Sequence, residues 1–197
     1  MTSHNPWKAV LICSAAFVFA GCNKQDNSKA NFQTAINDYY KAHPVCIWQD
    51  TKKMPVQAAT ADDAKTEGYD ALTDAGLLTR TTAEKKGFII ASKQVNNYDL
   101  SDQGRSSWNA DTTQPGYGNF CYGHRTVDSV DSFTSGVNAS GLKTAQVSYH
   151  YSLADVPDWA KNQQVQTAFS SIGGTLAHSQ PAEANLVMNG QTWQIAK

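Results

Sequence analysis

The stretch Ala145-Gln-Val-Ser-Tyr-His-Tyr-Ser-Leu153 alternates apolar and polar residues with almost no break. Val147, Tyr149, Tyr151 and Leu153 fall on one face of an extended chain, and Gln146, Ser148, His150 and Ser152 fall on the other. Successive side chains of a strand point to opposite faces, so this period of two marks an antiparallel strand with one dry and one wet side. The expectation is that Tyr149 and Tyr151 are buried together while His150 points away. Residues 120–133 form a less regular partner strand, with the Gly136–Gly141 region turning the hairpin between them. Further on, residues 184–188 and 192–196 flank Asn189-Gly190, a dipeptide that tolerates the positive φ of a tight hairpin turn.

Working outward, the period changes to that of a helix. Phe32, Ala35, Ile36, Tyr39 and Tyr40 recur at helical spacing in residues 30–42, and His43-Pro44 closes the run. A short strand is expected at 45–48, and Met54-Pro55-Val56 reads as an edge segment, because proline cannot donate into a central ladder. Residues 60–75 read as a second helix, with Asp62 and Asp63 in its first turn and Gly76 as its stop. A strand at 88–90 follows, and the polar, glycine-rich residues 109–118 read as a mobile loop. A third helix should begin near Asp155 and Pro157, carry Val156, Trp159, Ala160, Val165, Phe169 and Ile172 on one face, and stop at Gly173-Gly174. The fold class is therefore α+β, with helices packed on a mainly antiparallel β-sheet.

Two phrases resemble the second half of winged-helix domains. They are Ala71-Leu-Thr-Asp-Ala-Gly-Leu-Leu78, which in that family ends a helix, and Tyr98-Asp-Leu-Ser-Asp-Gln-Gly-Arg105, which closes the wing. The resemblance covers about 35 residues and implies a small winged-helix-like unit in the N-terminal half. It does not imply DNA binding. A nucleic-acid binder needs an excess of Lys and Arg for phosphates, whereas this 197-residue chain has 16 of these against 17 acids, a net charge of −1. Fold analogy cannot supply a function that the site chemistry lacks.

The N-terminus carries the clearest address. One Lys and no acid precede the 12 apolar and small residues Ala9–Ala20, too few to span a membrane core that takes roughly 20 but suited to an export signal. The run ends Val18-Phe19-Ala20-Gly21-Cys22, which resembles the lipobox of bacterial lipoprotein precursors. That resemblance implies cleavage between Gly21 and Cys22 and a lipid on the Cys22 thiol. Asn23, standing where Asp would favour inner-membrane retention, implies the outer membrane, facing the periplasm. The organisation expected is a signal peptide at 1–21, a flexible tether at 22–29 and one domain at 30–197, with a possible subdivision near 109–118.

Four cysteines reduce to two once Cys13 leaves with the signal and Cys22 carries lipid. Cys46 and Cys121 remain, and an even count in an oxidising compartment reads as one disulfide. A competing reading takes His43, Cys46, Cys121 and His124 as zinc ligands, since H-x-x-C and C-x-x-H bring four soft donors together. Residues three apart in a strand point to opposite faces, so Cys121 and His124 would need a kink at Gly123 to converge.

The chain contains neither G-x-S-x-G nor H-E-x-x-H, and no glycine-rich phosphate loop. His124 and His150 are the candidate polar site, with Arg125, Asp128 or Asp131 nearby, and no cofactor is expected. Trp48, Trp108, Trp159 and Trp193 read as packing residues. The chain resembles the broad class of Gram-negative envelope lipoproteins. The leading expectation is a lipid-anchored, non-catalytic protein that docks an envelope protein. Alternatives are an inhibitor or immunity-type protein acting against an envelope toxin or hydrolase, and a small envelope enzyme using His124 or His150.

Overall fold

The computed structural model describes residues 26–86 and 92–196. The expected signal peptide at 1–21, Cys22 and the strand expected at 88–90 lie outside the described residues. The fold is α+β, with three antiparallel sheets and five α-helices among the described residues.

The alternating stretch becomes the centre of a four-stranded sheet. Strands β7 (His124–Val137), β8 (Lys143–Ala154), β9 (Gln180–Asn189) and β10 (Thr192–Ile195) lie in the order β10-β9-β8-β7. Val147, Tyr149 and Tyr151 of β8 are buried as expected, and the side chain of His150 is 44% exposed. Gly190 takes the positive φ of the β9–β10 turn at 61°, and Gly141 does the same after β7 at 78°. Helix α1 (Lys29–Ala42) lies over the dry face and buries Phe32, Ala35 and Ile36 against it. The ring of Phe32 makes edge-on contacts with Phe133 and Trp193, at 5.0 Å each between centroids.

Helix α1 also covers an exposed sheet edge. Strand β7 is one of the two outer strands, so one side of its backbone would be free to pair with another chain. A bulge between Val127 and Ser129 interrupts its pairing with β8. There the Val127 N–H donates to Asn37 Oδ1 at 2.8 Å, and Gln33 Nε2 donates to the Val127 carbonyl at 2.9 Å. Lys29 Nζ reaches the Asp131 carbonyl at 2.8 Å.

The described part of the expected tether, residues 26–29, is hydrogen-bonded to the domain, so the reading of a flexible link does not hold for those residues. The Asp26 carbonyl accepts hydrogen bonds from Asn31 Nδ2 and Trp193 Nε1. The Ser28 hydroxyl caps α1 by accepting from the Asn31 N–H, so the helix begins within the stretch read as linker.

A second core gathers shorter pieces. Strand β2 (Val56–Ala59), helix α2 (Asp63–Asp74) and the strands β3 (Leu78–Lys86) and β4 (Ser92–Leu100) form a unit with strand order β2-β4-β3. Here the two quoted phrases interlock. The Ser101 N–H donates to the Leu77 carbonyl, and its hydroxyl donates to the Gly76 carbonyl. That same hydroxyl caps the short helix α3 (Asp102–Ser107) by accepting from the Gly104 N–H. A Cβ on Gly104 would sit 1.8 Å from the Leu77 oxygen, so only glycine fits.

Three expectations need correction in this half. Residues 109–118 are a hairpin rather than a mobile loop: β5 (Trp108–Ala110) pairs with β6 (Tyr117–Phe120), and β1 (Lys52–Lys53) pairs with the other side of β6. The strand expected at 45–48 is reduced to a single bridge at Cys46 and Cys121, flanked by backbone hydrogen bonds from Val45 and Ile47. The long helix expected after Asp155 is three pieces: a 3-10 turn (Asp158–Lys161), α4 (Gln163–Ala168) and α5 (Ser170–Ala177). Asp155 takes a positive φ of 55° rather than capping a helix. Asn162 caps α4 by accepting from Gln164 and Val165, and α5 runs through Gly173-Gly174 without stopping. The apolar face nonetheless holds, because Trp159, Ala160, Val165 and Ile172 are all buried in the second core.

Candidate functional site

The half-cysteines decide one open question. Cys46 and Cys121 form a disulfide, with sulfurs 2.04 Å apart, so neither offers the thiolate that a zinc ion would need. His43 instead stacks on the Tyr39 ring, and its Nδ1 lies 2.7 Å from the Tyr39 carbonyl. His124 Nδ1 lies 3.5 Å from an Asp155 carboxylate oxygen. Among the described residues, no group of three or more His, Cys, Asp or Glu is placed to hold a metal ion.

The two candidate histidines are not brought together. His124 lies opposite Ala154 and His150 opposite Ser129, at different levels of the β7–β8 ladder. His150 does meet one of its expected neighbours, with Nδ1 2.7 Å from Asp131 Oδ2. Asp128 accepts from the hydroxyls of Ser152 and Ser179. These groups stand on the wet face of the sheet, where both members of the His150–Asp131 pair are more than two-fifths exposed. Water screens such a pair and competes for its hydrogen bonds, so it is a polar surface rather than a shaped reaction site.

Arg125 points to the dry side instead. Its guanidinium lies over the rings of Tyr40 and Tyr151, 5.0 and 4.5 Å from their centroids, and donates to the Tyr40 hydroxyl at 3.3 Å. The buried Tyr149 hydroxyl nearby has no hydrogen-bond partner among the described residues. Burial, and next the neighbouring Tyr40, push its ionisation far above the usual tyrosine range. Cation–π contact replaces the carboxylate that a half-buried arginine would otherwise need.

A groove of about 490 Å³ lies elsewhere, between α2 and α4. Asp63, Glu67, Asp70 and Asp74 line one wall and Gln163, Gln164 and Thr167 the other. The acids stand at i, i+4, i+7 and i+11, so they share one helical face over about 16 Å. Like charges at i, i+4 cost a helix about 0.2–0.5 kcal/mol per pair, and α2 carries two such pairs. Only Asp70 is neutralised: its Oδ1 accepts from Arg80 Nη1 at 2.6 Å and from the Tyr98 hydroxyl at 2.7 Å. Burial, and then the bond to Asp70, raise the Tyr98 pKa above its ordinary value. Asp63, Glu67 and Asp74 have no ion pair among the described residues and stay exposed.

A second groove of about 380 Å³ adjoins the first across Glu67 and Ala168; Trp48, Tyr69 and Phe169 line it together with Lys52 and Lys65. Trp48 is therefore a rim residue and Trp108 is half-buried against the second core, whereas Trp159 and Trp193 are core. The reading of Asp63 as a helix-dipole residue overlooked the acidic stripe. Its signal was available in the spacing of the four carboxylates. The wall from α4 had no such signal, because the helix break at Asn162 that places it is a local capping event.

Comparison with protein-family models, curated proteins and solved structures finds no match. The site must therefore be read from its own chemistry.

Proposed function

We propose that this chain is an exported protein, anchored in the outer membrane through a lipid on Cys22, whose domain docks another envelope protein without catalysing a reaction. The observation that carries the reading is the open groove between α2 and α4, with three unpaired carboxylates beside an aromatic cleft. A continuous surface of this kind suits recognition, with charge for steering and aromatic rings for contact area. The Cys46–Cys121 bond supports an oxidising compartment such as the periplasm. Among the described residues no helix is long and apolar enough to cross a membrane, and the proposed anchor is the lipid. Nucleic acid is not a partner in this reading: the helix that ends the winged-helix-like phrase presents acids, which repel phosphates.

Crosslinking in living cells, followed by purification and mass spectrometry, tests this reading against a Cys22→Ser variant. The expected result is one dominant attached protein that is lost when the anchor is removed. Equal recovery with the variant, or no protein above it, overturns anchored docking.

A further inference from the structure

The geometry points to the α2–α4 groove as a binding site for a basic, extended peptide segment of a partner protein, with Lys or Arg on the acids and an apolar side chain in the aromatic cleft. This rests on the docking reading for the class of partner, but not for the chemistry of the site.

Three observations converge. The first is the acidic wall, where Asp63, Glu67 and Asp74 keep their charges unpaired among the described residues while Asp70 is held by Arg80 and Tyr98. The second is independent of charge. Thr66 lines the same groove yet is only 5% exposed. Other helical threonines turn their hydroxyls back onto the carbonyl four residues earlier, as Thr73 does to Tyr69 and Thr167 to Gln163. Among the described residues the Thr66 hydroxyl makes no such bond, although its backbone N–H bonds to the Asp62 carbonyl normally. Thr66 is thus a nearly buried side chain lining the groove with no protein partner for its hydroxyl among the described residues, and a ligand N–H or C=O in the groove supplies one. The third observation selects the occupant. A metal ion or a simple polyamine has no use for the Trp48, Tyr69 and Phe169 cleft that continues from Glu67. A peptide has alternate side chains on opposite sides of its backbone and fills both grooves. The acidic wall spans about 16 Å, the length of about five extended residues.

The test is calorimetry of the full chain in mild detergent with a blocked five-residue peptide of alternating lysine and leucine. Trp48 fluorescence provides a second readout. Binding should appear, weaken as salt is raised, and fall by about tenfold in D63N/E67Q/D74N, as expected for losing complementary charges. These residues are exposed and unpaired, so the variant should remain folded, which circular dichroism checks. T66V should lower affinity at unchanged salt dependence, separating the hydroxyl from the charges. A glutamate–leucine peptide should not bind. No binding by the lysine–leucine peptide, or binding unchanged by the triple variant, overturns the site. Spermine binding as tightly as the peptide overturns the peptide assignment in favour of a simple polycation. Peptide binding together with failure of anchor-dependent crosslinking leaves the groove standing and removes the envelope docking role. An anchor-dependent partner with no peptide binding does the reverse.

Discussion

The two cores of this molecule are held together in different ways. The sheet core is built from four strands in sequence, β7 to β10, each joined to the next, with α1 brought in from the far N-terminus. Its strands reach 14, 12 and 10 residues. The second core is assembled from pieces scattered between Val45 and Leu176, and one of its sheets has strands of two, four and three residues. Strands that short have little stability alone. The second core therefore depends on a covalent tie and on interlocking single residues, and it also carries the groove.

The largest expected difference between them follows from that tie. The Cys46–Cys121 bond closes a loop of 75 positions, for which chain entropy predicts about 4 kcal/mol as an upper figure. C46A/C121A should lose that much or somewhat less in urea unfolding. Hydrogen exchange should rise first around residues 45–48 and 117–122, while the β8–β9 amides stay protected. A uniform rise across both cores would show that they are one cooperative unit.

A smaller effect should appear on the other side. Gln33 and Asn37 together hold the Val127 peptide at the open edge of β7, and a hydrogen bond contributes about 1 kcal/mol net. Q33A/N37A should therefore cost about 2 kcal/mol, and it should promote self-association at high concentration because a strand edge is uncovered. Sedimentation checks the second point. An unchanged unfolding midpoint would mean that apolar packing of Phe32 and Ile36 holds α1 without the clamp.

The same contrast explains which parts of the structure could be read from the sequence. Strand β8 was legible because Val147, Tyr149 and Tyr151 repeat every second residue, a pattern that needs no knowledge of distant segments. Helix α1 was legible from Phe32, Ala35 and Ile36 for the same reason. The breaks around α4 were not, because the apolar positions from Val156 to Ile172 repeat as though the helix were continuous. Asn162 and Phe169 interrupt it only through backbone angles outside the helical region. Residues 109–118 misled in the opposite sense. Their glycines and polar residues suggested mobility, whereas the Asp111 carboxylate organises the turn. For the site, the acids of α2 could be counted in the sequence, but their meeting with Gln163 and Gln164 depends on the second core closing.

That hairpin provides the subtlest comparison, since its turn is organised by one half-buried carboxylate, Asp111. Asp111 Oδ1 accepts from the Thr113 hydroxyl at 2.7 Å, the Thr113 N–H at 2.8 Å and the Gln114 N–H at 3.2 Å. These bonds favour the ionised form, and the Thr113 hydroxyl contributes most to lowering the Asp111 pKa. A carboxyl whose folded pKa lies below its unfolded value stabilises the fold at pH above the unfolded value. That contribution is lost as pH falls through the folded one. In T113V the backbone donors remain but the hydroxyl is gone, so Asp111 should titrate closer to an ordinary aspartate. The stability gap between wild type and T113V should then be present near neutral pH and close on acidification below about pH 4, the ordinary aspartate range. Carboxyl-resolved NMR titration and acid unfolding of the two proteins measure it. A gap that persists unchanged at low pH would mean that Thr113 stabilises the turn through its own backbone preference, and that the hairpin is ordered by its short strands after all.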